Sequence, residues 1–240
     1  MRAFDLAAAR VKVPTLSVAG KIRIAYERSG AARLDMTPLY RAAIAKYPQT
    51  LEARIQYIRA SSPRSGGSMA RLEANIADAA GLTEPDRRYL TYLVMEEMGK
   101  AAEAAGDDAG AARLYRKVVP DCPGLDGALR ALIAVDTRLK RFGELIPLLT
   151  KFIESHPRDA RAYSSRGLAY REVGKMADAY ADYQRAVELG DGPALMGLGW
   201  FFETGTHVAR DRRKARELYE LAANRYVEGA QEKMDRLRLE

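Results

Sequence analysis

The chain has 240 residues, a single cysteine and a formal net charge of +7, and 48% of its residues are hydrophobic. One cysteine excludes an internal disulfide, and no stretch approaches the roughly 18 apolar residues that a membrane-spanning helix needs. No apolar run follows the basic residues near the N-terminus, so we expect no signal peptide and a cytoplasmic location.

The excess positive charge lies at the front of the chain. Residues 1–60 hold 11 Lys/Arg and 4 Asp/Glu, whereas residues 61–240 hold 28 of each sign. A basic segment attracts nucleic acid, anionic lipid or acidic protein through long-range fields, but this one lacks the interleaved aromatic residues of a single-strand binder. We favour a solvated basic surface and keep nucleic-acid or anionic-surface binding through residues 1–60 as an alternative function.

Helical patterns begin in the N-terminal third of the chain. Residues 37–47 and 50–60 predict two helices, separated near Pro48, because apolar residues recur on one face of each segment. The inward-facing positions are expected at Leu39, Ala42, Ile44 and Tyr47 in the first helix and at Leu51, Ile55, Tyr57 and Ile58 in the second. The pair is interpreted as a divergent helical repeat.

Residues 61–68 have the composition of a loop. Ser68 is expected to cap the helix that follows, whose inner face carries Leu72 and Ile76. Thr83 then begins a capping box with an early proline, which predicts the start of a long helix.

The segment Pro63-Arg64-Ser65-Gly66-Gly67-Ser68 resembles a Pro-Arg-Trp-Gly-Gly-Ser motif of an uncharacterised bacterial domain that is often joined to helical repeats. The partial match covers residues 39–81, with Ser65 where the motif has tryptophan. The resemblance implies no function. A Gly-Gly loop before a helix could hold an anion on its backbone N–H groups, but we favour a plain connecting loop.

Residues 91–190 carry a period of 34 residues. The matched positions, separated by two periods, are Gly99 with Gly167, Gly106 with Gly174, Ala111 with Ala179, and Tyr115 with Tyr183. A degenerate unit at residues 126–159 lies between them, with Asp136 in place of the aromatic residue and Lys140 in place of the second glycine. The pattern resembles the tetratricopeptide repeat (TPR), a pair of antiparallel helices that buries its apolar stripe only by stacking on neighbours.

Residues 194–230 resemble a Sel1-like repeat, a helix-loop-helix relative of the TPR. The residues that carry this resemblance are Ala194, Leu198, Gly199, Phe202, Gly205, Val208, Asp211, Ala215, Tyr219, Ala222, Ala223 and Ala230. The two resemblances imply an all-α, right-handed helix-turn-helix solenoid. We divide it into a divergent helical region at residues 1–90, three TPR-like repeats at 91–190, and a Sel1-like repeat with a capping helix at 191–240.

Residues suited to catalysis are scarce. His156 is expected to cap helix carbonyls, His207 to lie in a surface loop, and Cys122 to be a buried structural thiol. No spacing of histidine, cysteine or carboxylate residues matches a metal site. We therefore expect a protein that is not an enzyme and that has no catalytic residue, cofactor or metal.

The TPR resemblance implies a binding face, because the first helix of each TPR unit lines the concave side. The candidate groove residues at such positions are Lys100, Arg130, Arg161, Ser164, Leu168 and Arg171. Their cations would pair with the carboxylates of an acidic peptide. The open alternative is that they are solvated or pair with neighbouring acids.

Two further aromatic residues, Trp200 and Phe201, precede the predicted core residue Phe202. Trp200 and Phe201 cannot both face inward from one helix, so one of them is expected to lie on the surface or to be buried against a neighbour or a second copy. An exposed ring there would mark an interface. The leading functional hypothesis is a scaffold or adaptor that binds another protein or peptide. An effector-neutralising, immunity-type role lies within the same class.

Overall fold

The computed structural model describes residues 37–65, 67–77, 81–119 and 126–239. Over these residues the chain forms twelve α-helices, one short 3₁₀ turn and no strand, which confirms the all-α prediction. None of the helices in this described part is long and apolar enough to cross a membrane. The chain divides into two compact units, Met1–Val135 and Asp136–Glu240, which we call unit 1 and unit 2.

Within the described residues, unit 1 contains five helices and most of a sixth. They are α1 (Thr37–Lys46), α2 (Leu51–Ser61), α3 (Met69–Ala77), α4 (Glu84–Ala104), α5 (Asp108–Val118) and α6 (Asp126–Arg138), with the 3₁₀ turn at Pro63–Ser65. A core cluster joins α2, α3 and α4 through Ile58, Leu72, Leu90, Leu93 and Val94.

The first two helices form where the sequence predicts them, but the inner face of α1 is shifted by one residue. Tyr40 and Ala43 are buried there, whereas Leu39 is 40% exposed and Ala42 is also exposed. Tyr40 turns inward because its ring stacks on Tyr57 of α2, with ring centroids 3.9 Å apart. The expectation that Leu39 and Ala42 face inward was therefore wrong.

The loop after α2 uses its backbone donors internally. The N–H groups of Ser65 and Gly67 both donate to the Ser62 carbonyl, at 2.8 and 3.0 Å. A Cβ atom on Gly67 would lie 1.9 Å from the Ser61 carbonyl oxygen, so only glycine fits this close approach. Because these N–H groups already donate within the loop, the structure favours a connecting loop over an anion site. Ser68 accepts a hydrogen bond from the Arg71 N–H at 3.2 Å, which confirms the predicted cap.

Unit 2 continues the antiparallel helix pairs. After the end of α6 it contains α7 (Phe142–Ser155), α8 (Ala160–Glu172), α9 (Met176–Glu188), α10 (Pro193–Thr204), α11 (Arg212–Ala223) and α12 (Ala230–Leu239). Each helix packs on the one before it from α8 onwards, so the unit is a stack of sequential neighbours. Phe202 is buried, as predicted.

A glycine faces a buried tyrosine in each well-formed helix pair. A Cβ atom on Gly99 of α4 would lie 2.5 Å from the Tyr115 ring of α5. The corresponding distances are 3.1 Å for Gly167 and Tyr183 and 2.4 Å for Gly199 and Tyr219. The missing side chain lets the two helices approach until the ring fills the space between them. This contact is the physical reason for the repeated Gly and Tyr positions.

Helix ends follow the same repeat. At the starts of four helices, an aspartate side chain accepts a hydrogen bond from a backbone N–H group. These aspartates are Asp107, Asp159, Asp191 and Asp211. Gly106 and Gly174 each have a φ of 82°, the left-handed conformation that ends a helix. In the degenerate unit Lys140 occupies this position, with a φ of 55°.

Candidate functional site

An open groove in unit 2 forms on the first helices of successive pairs. Its cavity volume is about 870 Å³, and its wall includes α8 and α10 together with single residues of α9, α11 and α12. The lining residues are Arg161, Ser164, Ser165, Leu168, Arg171, Glu172, Tyr183, Asp191, Pro193, Met196, Gly197, Trp200, Tyr219 and Lys233. We call this the unit 2 groove.

Helix α8 supplies the cationic wall of the unit 2 groove. Arg161, Ser164, Leu168 and Arg171 follow one another at intervals of three, four and three residues, which places them on one helical face. Arg161 is exposed, and within the described part of the chain its side chain has no hydrogen bond or ion pair. Its guanidinium can therefore pair with an incoming carboxylate.

Helix α10 supplies an apolar wall at the same structural positions. Gly167 and Gly199 are equivalent in packing, so an offset of 32 residues relates α8 to α10. By this offset, Met196 of α10 is equivalent to Ser164 of α8, and Trp200 is equivalent to Leu168. Both α10 residues line the groove. The groove thus combines cations on one helix with a thioether and an indole on the next.

Arg171 connects the two walls. Its guanidinium carbon lies 5.3 Å from the centre of the Trp200 ring, a cation–π contact. Its Nη2 atom also donates to Glu172 at 2.9 Å, on the exposed side of α8. Because the Glu172 side chain is 38% exposed, this surface ion pair contributes little to stability and can be exchanged for another carboxylate.

Tyrosine rings form the floor of the unit 2 groove. Tyr183 is inserted between α8 and α10, since a Cβ atom on Gly167 or Gly197 would lie 3.1 or 2.6 Å from its ring. Burial raises the pKa of Tyr183 to about 12. The hydroxyl group is therefore neutral at physiological pH and offers a donor as well as an acceptor.

The far end of the groove is held by a polar cluster. The Tyr219 hydroxyl donates to Glu203 at 2.7 Å, and Arg236 of α12 binds the other oxygen of the same carboxylate. Burial acts to raise the pKa of Glu203, but these two hydrogen bonds together with the positive charges of Lys233 and Arg236 outweigh it, so the pKa is lowered. The ionised carboxylate thus joins α10, α11 and α12.

A second ion pair fixes α8 on its neighbours. Arg166 donates to both oxygens of Asp182 on α9, at 2.7 and 2.8 Å, and to the Thr150 hydroxyl on α7 at 3.0 Å. Hydrogen bonding to Asp182 raises the pKa of Arg166. This bidentate pair sets the position of α8 and hence of its groove residues.

The structure brings together four of the six predicted groove residues, Arg161, Ser164, Leu168 and Arg171. Lys100 and Arg130 belong to unit 1. Lys100 pairs with Glu96 and Glu97 of its own helix, at 2.8 Å each. For this residue the structure therefore favours the alternative that the cation pairs with neighbouring acids. Arg130 is exposed on α6.

Burial corrects the prediction of an interface at Trp200 and Phe201. Phe201 has no exposed surface, because its ring packs against Tyr180 and Tyr183 of α9. It therefore cannot belong to a surface, and only the partly buried Trp200 remains as a candidate. The sequence reasoning missed Met196 and Tyr183, although the offset of 32 residues between the two glycines predicts the place of Met196 in the groove.

The two histidines lie at the end of a helix and in a loop. His156 ends α7, with its Nδ1 atom 3.2 Å from the Phe152 carbonyl oxygen, and His207 is exposed with a φ of 65°. The described residues contain no group of three or more His, Cys, Asp or Glu side chains placed to hold a metal ion. Cys122 and residues 1–36 of the basic segment lie outside the described residues.

Comparisons with known proteins agree with this architecture. A double mutant of MamA from Desulfovibrio magneticus RS-1 is 23% identical, with a TM-score of 0.52 over 74% of this chain and 96% of that one. Another MamA crystal structure is 18% identical, with a TM-score of 0.50 over 69% of this chain and 91% of its own. With the repeated Gly–Tyr helix pairs, these likenesses decide the fold. The chain has a TPR-like helical-repeat fold.

Two further matches accompany this TPR-like fold. Residues 127–193 match the family model of the bacterial transcriptional activator domain. A tetratricopeptide repeat protein from Parabacteroides merdae is 13% identical, with a TM-score of 0.47 over 100% of this chain and 91% of that one. The resemblance of residues 39–81 to the Pro-Arg-Trp-Gly-Gly-Ser domain stays a prediction.

Proposed function

We propose that the chain is a non-enzymatic adaptor that binds an acidic segment of another protein in the unit 2 groove. The observation that carries this proposal is the position of Arg161, which has no ion pair within the described residues, on the same helix face as Arg171 and beside the apolar wall of Met196 and Trp200. A carboxylate satisfies the arginines, and an apolar side chain covers the indole. Each charge-assisted hydrogen bond contributes about 1.5 to 3 kcal/mol where binding removes water.

The test is a capture experiment with three forms of the protein. Wild type, Arg161→Glu/Arg171→Glu and the control Arg213→Glu/Arg216→Glu are immobilised, and partners from the source cell's lysate are identified by mass spectrometry. The control makes the same change of charge at exposed residues of α11 that do not line the groove. Circular dichroism checks that all three forms fold.

We expect a partner that the wild type and the control retain and that the groove variant loses. Overlapping peptides from that partner then identify the bound segment through the emission of Trp200, the single tryptophan of the chain. Equal capture by all three proteins contradicts the proposal. Capture that nuclease abolishes contradicts it as well and favours the second candidate.

The second candidate function is binding to nucleic acid through the basic residues 1–60. It is favoured by the excess of seven positive charges in this segment. A titration with duplex DNA at several salt concentrations tests it, because counterion release gives a log–log slope of about −0.9 for each phosphate contact. A slope near zero contradicts this candidate.

A further inference from the structure

Unit 1 has a cavity of its own, lined by α1, α2 and α3. Its volume of about 650 Å³ lies in the range of small-molecule sites. The lining residues recur three or four places apart on α1 and on α3, so one face of each helix forms a wall. We call this cavity the unit 1 cleft. Its polar and aromatic lining consists of Thr37, Tyr40 and Arg41 of α1, Tyr57 of α2, and Arg71 and Asn75 of α3.

A buried amide oxygen in the wall of the unit 1 cleft lacks a donor. Asn75 is only 5% exposed, and its Nδ2 atom donates to the Arg71 carbonyl of the same helix at 2.6 Å. Its Oδ1 atom accepts no hydrogen bond within the described residues. Buried acceptors are normally paired, because burial removes the water that would otherwise bind them. The cleft thus offers an acceptor to a ligand that carries an O–H or N–H group.

Hydroxyl groups complete the uncharged part of the lining. The Tyr57 and Thr37 hydroxyl groups share a hydrogen bond of 2.8 Å, and the Tyr57 ring stacks on Tyr40. A hydroxyl group can donate as well as accept a hydrogen bond. A sugar carries several such groups, so one can donate to Asn75 while another binds the Tyr57 hydroxyl.

The charged residues of the lining are both cations. Arg41 and Arg71 are exposed, and the Arg41 side chain has no hydrogen bond or ion pair within the described residues. No carboxylate of the described residues lines the cleft, so it repels an ammonium group and attracts an anion. A phosphate monoester carries a charge of about −1.5 to −2 at pH 7, and arginine binds phosphate oxygens in a bidentate manner. Such a group therefore suits the two arginines better than a singly charged carboxylate.

We infer that the unit 1 cleft binds a sugar phosphate, either free or as part of a mononucleotide. The phosphate pairs with Arg41, and the sugar hydroxyl groups bind Asn75 and Tyr57. This binding activity goes beyond the adaptor function of the unit 2 groove and does not depend on it.

Isothermal titration calorimetry of the full chain with four probes tests the inference. The probes are ribose 5-phosphate, AMP, inorganic phosphate and ribose. We expect ribose 5-phosphate to bind at least about tenfold more tightly than inorganic phosphate or ribose, because it alone of these three offers both kinds of group. Tighter binding of AMP than of ribose 5-phosphate assigns the nucleotide as the ligand, and equal or weaker binding assigns the free sugar phosphate. Equal affinity for inorganic phosphate and ribose 5-phosphate overturns the inference, as does the absence of binding below about 10 mM.

Single-residue variants locate the site. Arg41→Ala should weaken the binding of ribose 5-phosphate at least about tenfold, whereas Arg59→Ala, at an exposed position of α2 outside the lining, should leave it unchanged. Asn75→Ala should weaken ribose 5-phosphate but not inorganic phosphate, because only the sugar meets the amide oxygen. Circular dichroism checks that each variant folds. Equal affinities of Arg41→Ala and Arg59→Ala overturn the inference, and so does loss of binding in Arg161→Glu/Arg171→Glu, which changes only the unit 2 groove.

Discussion

The three Gly–Tyr helix pairs repeat one packing contact but give the tyrosine hydroxyl three different environments. In unit 1 the Tyr115 hydroxyl is buried and has no hydrogen-bond partner within the described residues. In unit 2 the Tyr183 ring forms the floor of the groove, and the Tyr219 hydroxyl donates to Glu203. Ring packing is therefore what defines the repeat, while the polar end of each ring is free to vary.

The residue four places after each glycine carries a different charge in the second pair than in the other two. It is Glu103 in the first pair, Arg171 in the second and Glu203 in the third. A helical residue at this spacing lies on the same face as the glycine, near the end of the tyrosine ring. In the third pair the glutamate accepts the hydrogen bond of the tyrosine hydroxyl, and in the second pair the arginine lines the unit 2 groove.

Removing a repeated ring tests the shared part of the comparison and should have the largest effect. Tyr115→Ala and Tyr183→Ala should each lower the free energy of unfolding by about 3 to 5 kcal/mol, because each leaves a cavity between two helices. Urea denaturation followed by circular dichroism measures the change. Losses below about 1 kcal/mol at both positions would contradict the repeat register.

Removing only the hydroxyl tests the variable part. Tyr219→Phe should lower the free energy of unfolding by about 1.5 kcal/mol, because it deletes a hydrogen bond to a charged group. Tyr115→Phe is the matched control and should be neutral or stabilising, because its hydroxyl is buried without a partner within the described residues. Equal losses in the two variants would show that the hydroxyl environments do not differ as described.

Acid denaturation provides a second measurement of the effect of Tyr219→Phe. The folded pKa of Glu203 is lowered, so its stabilisation is complete above the unfolded value of about 4.3 and is lost as the pH falls through the folded value. Wild type should therefore lose more stability than Tyr219→Phe between about pH 5 and pH 3. The same loss of unfolding free energy in both proteins between these pH values would mean that Tyr219 does not lower this pKa.

The sequence was sufficient for the helices and for the cationic wall of the site. Gly99 and Tyr115 recur at a fixed period because one close contact requires both residues, so the period carries structural information. The same register placed Arg161, Ser164, Leu168 and Arg171 on one face of a helix. Helical spacing puts these four residues on one face, and the TPR resemblance implies that this face is the one that lines the groove.

Contacts between elements explain what the sequence did not reveal. Tyr40 replaces Leu39 on the inner face of α1 because its ring stacks on Tyr57, a contact that no single-helix pattern encodes. Phe201 is buried because its ring packs against rings of α9, whereas the sequence did not indicate which of Trp200 and Phe201 would be buried. The pairing of Lys100 with Glu96 is different, because the two residues lie four places apart on one helix and the helical spacing itself favours the ion pair.

The smallest expected effect concerns the degenerate unit, where Lys140 occupies the position of Gly106 and Gly174. Its φ of 55° is the left-handed conformation, which costs a residue with a Cβ atom about 1 to 2 kcal/mol. Glycine also gains entropy in the unfolded chain, so Lys140→Gly should raise the free energy of unfolding by only about 0.5 to 1 kcal/mol.

Lys151→Gly in the interior of α7 is the matched control for this change. The same substitution should there lower the free energy of unfolding by about 1 kcal/mol, because the backbone is helical and glycine disfavours it. Opposite signs in the two urea curves would show that the degenerate unit keeps the backbone of its neighbours after losing their glycine. Destabilisation by both substitutions would mean that Lys140 makes contacts that outweigh its unfavourable conformation.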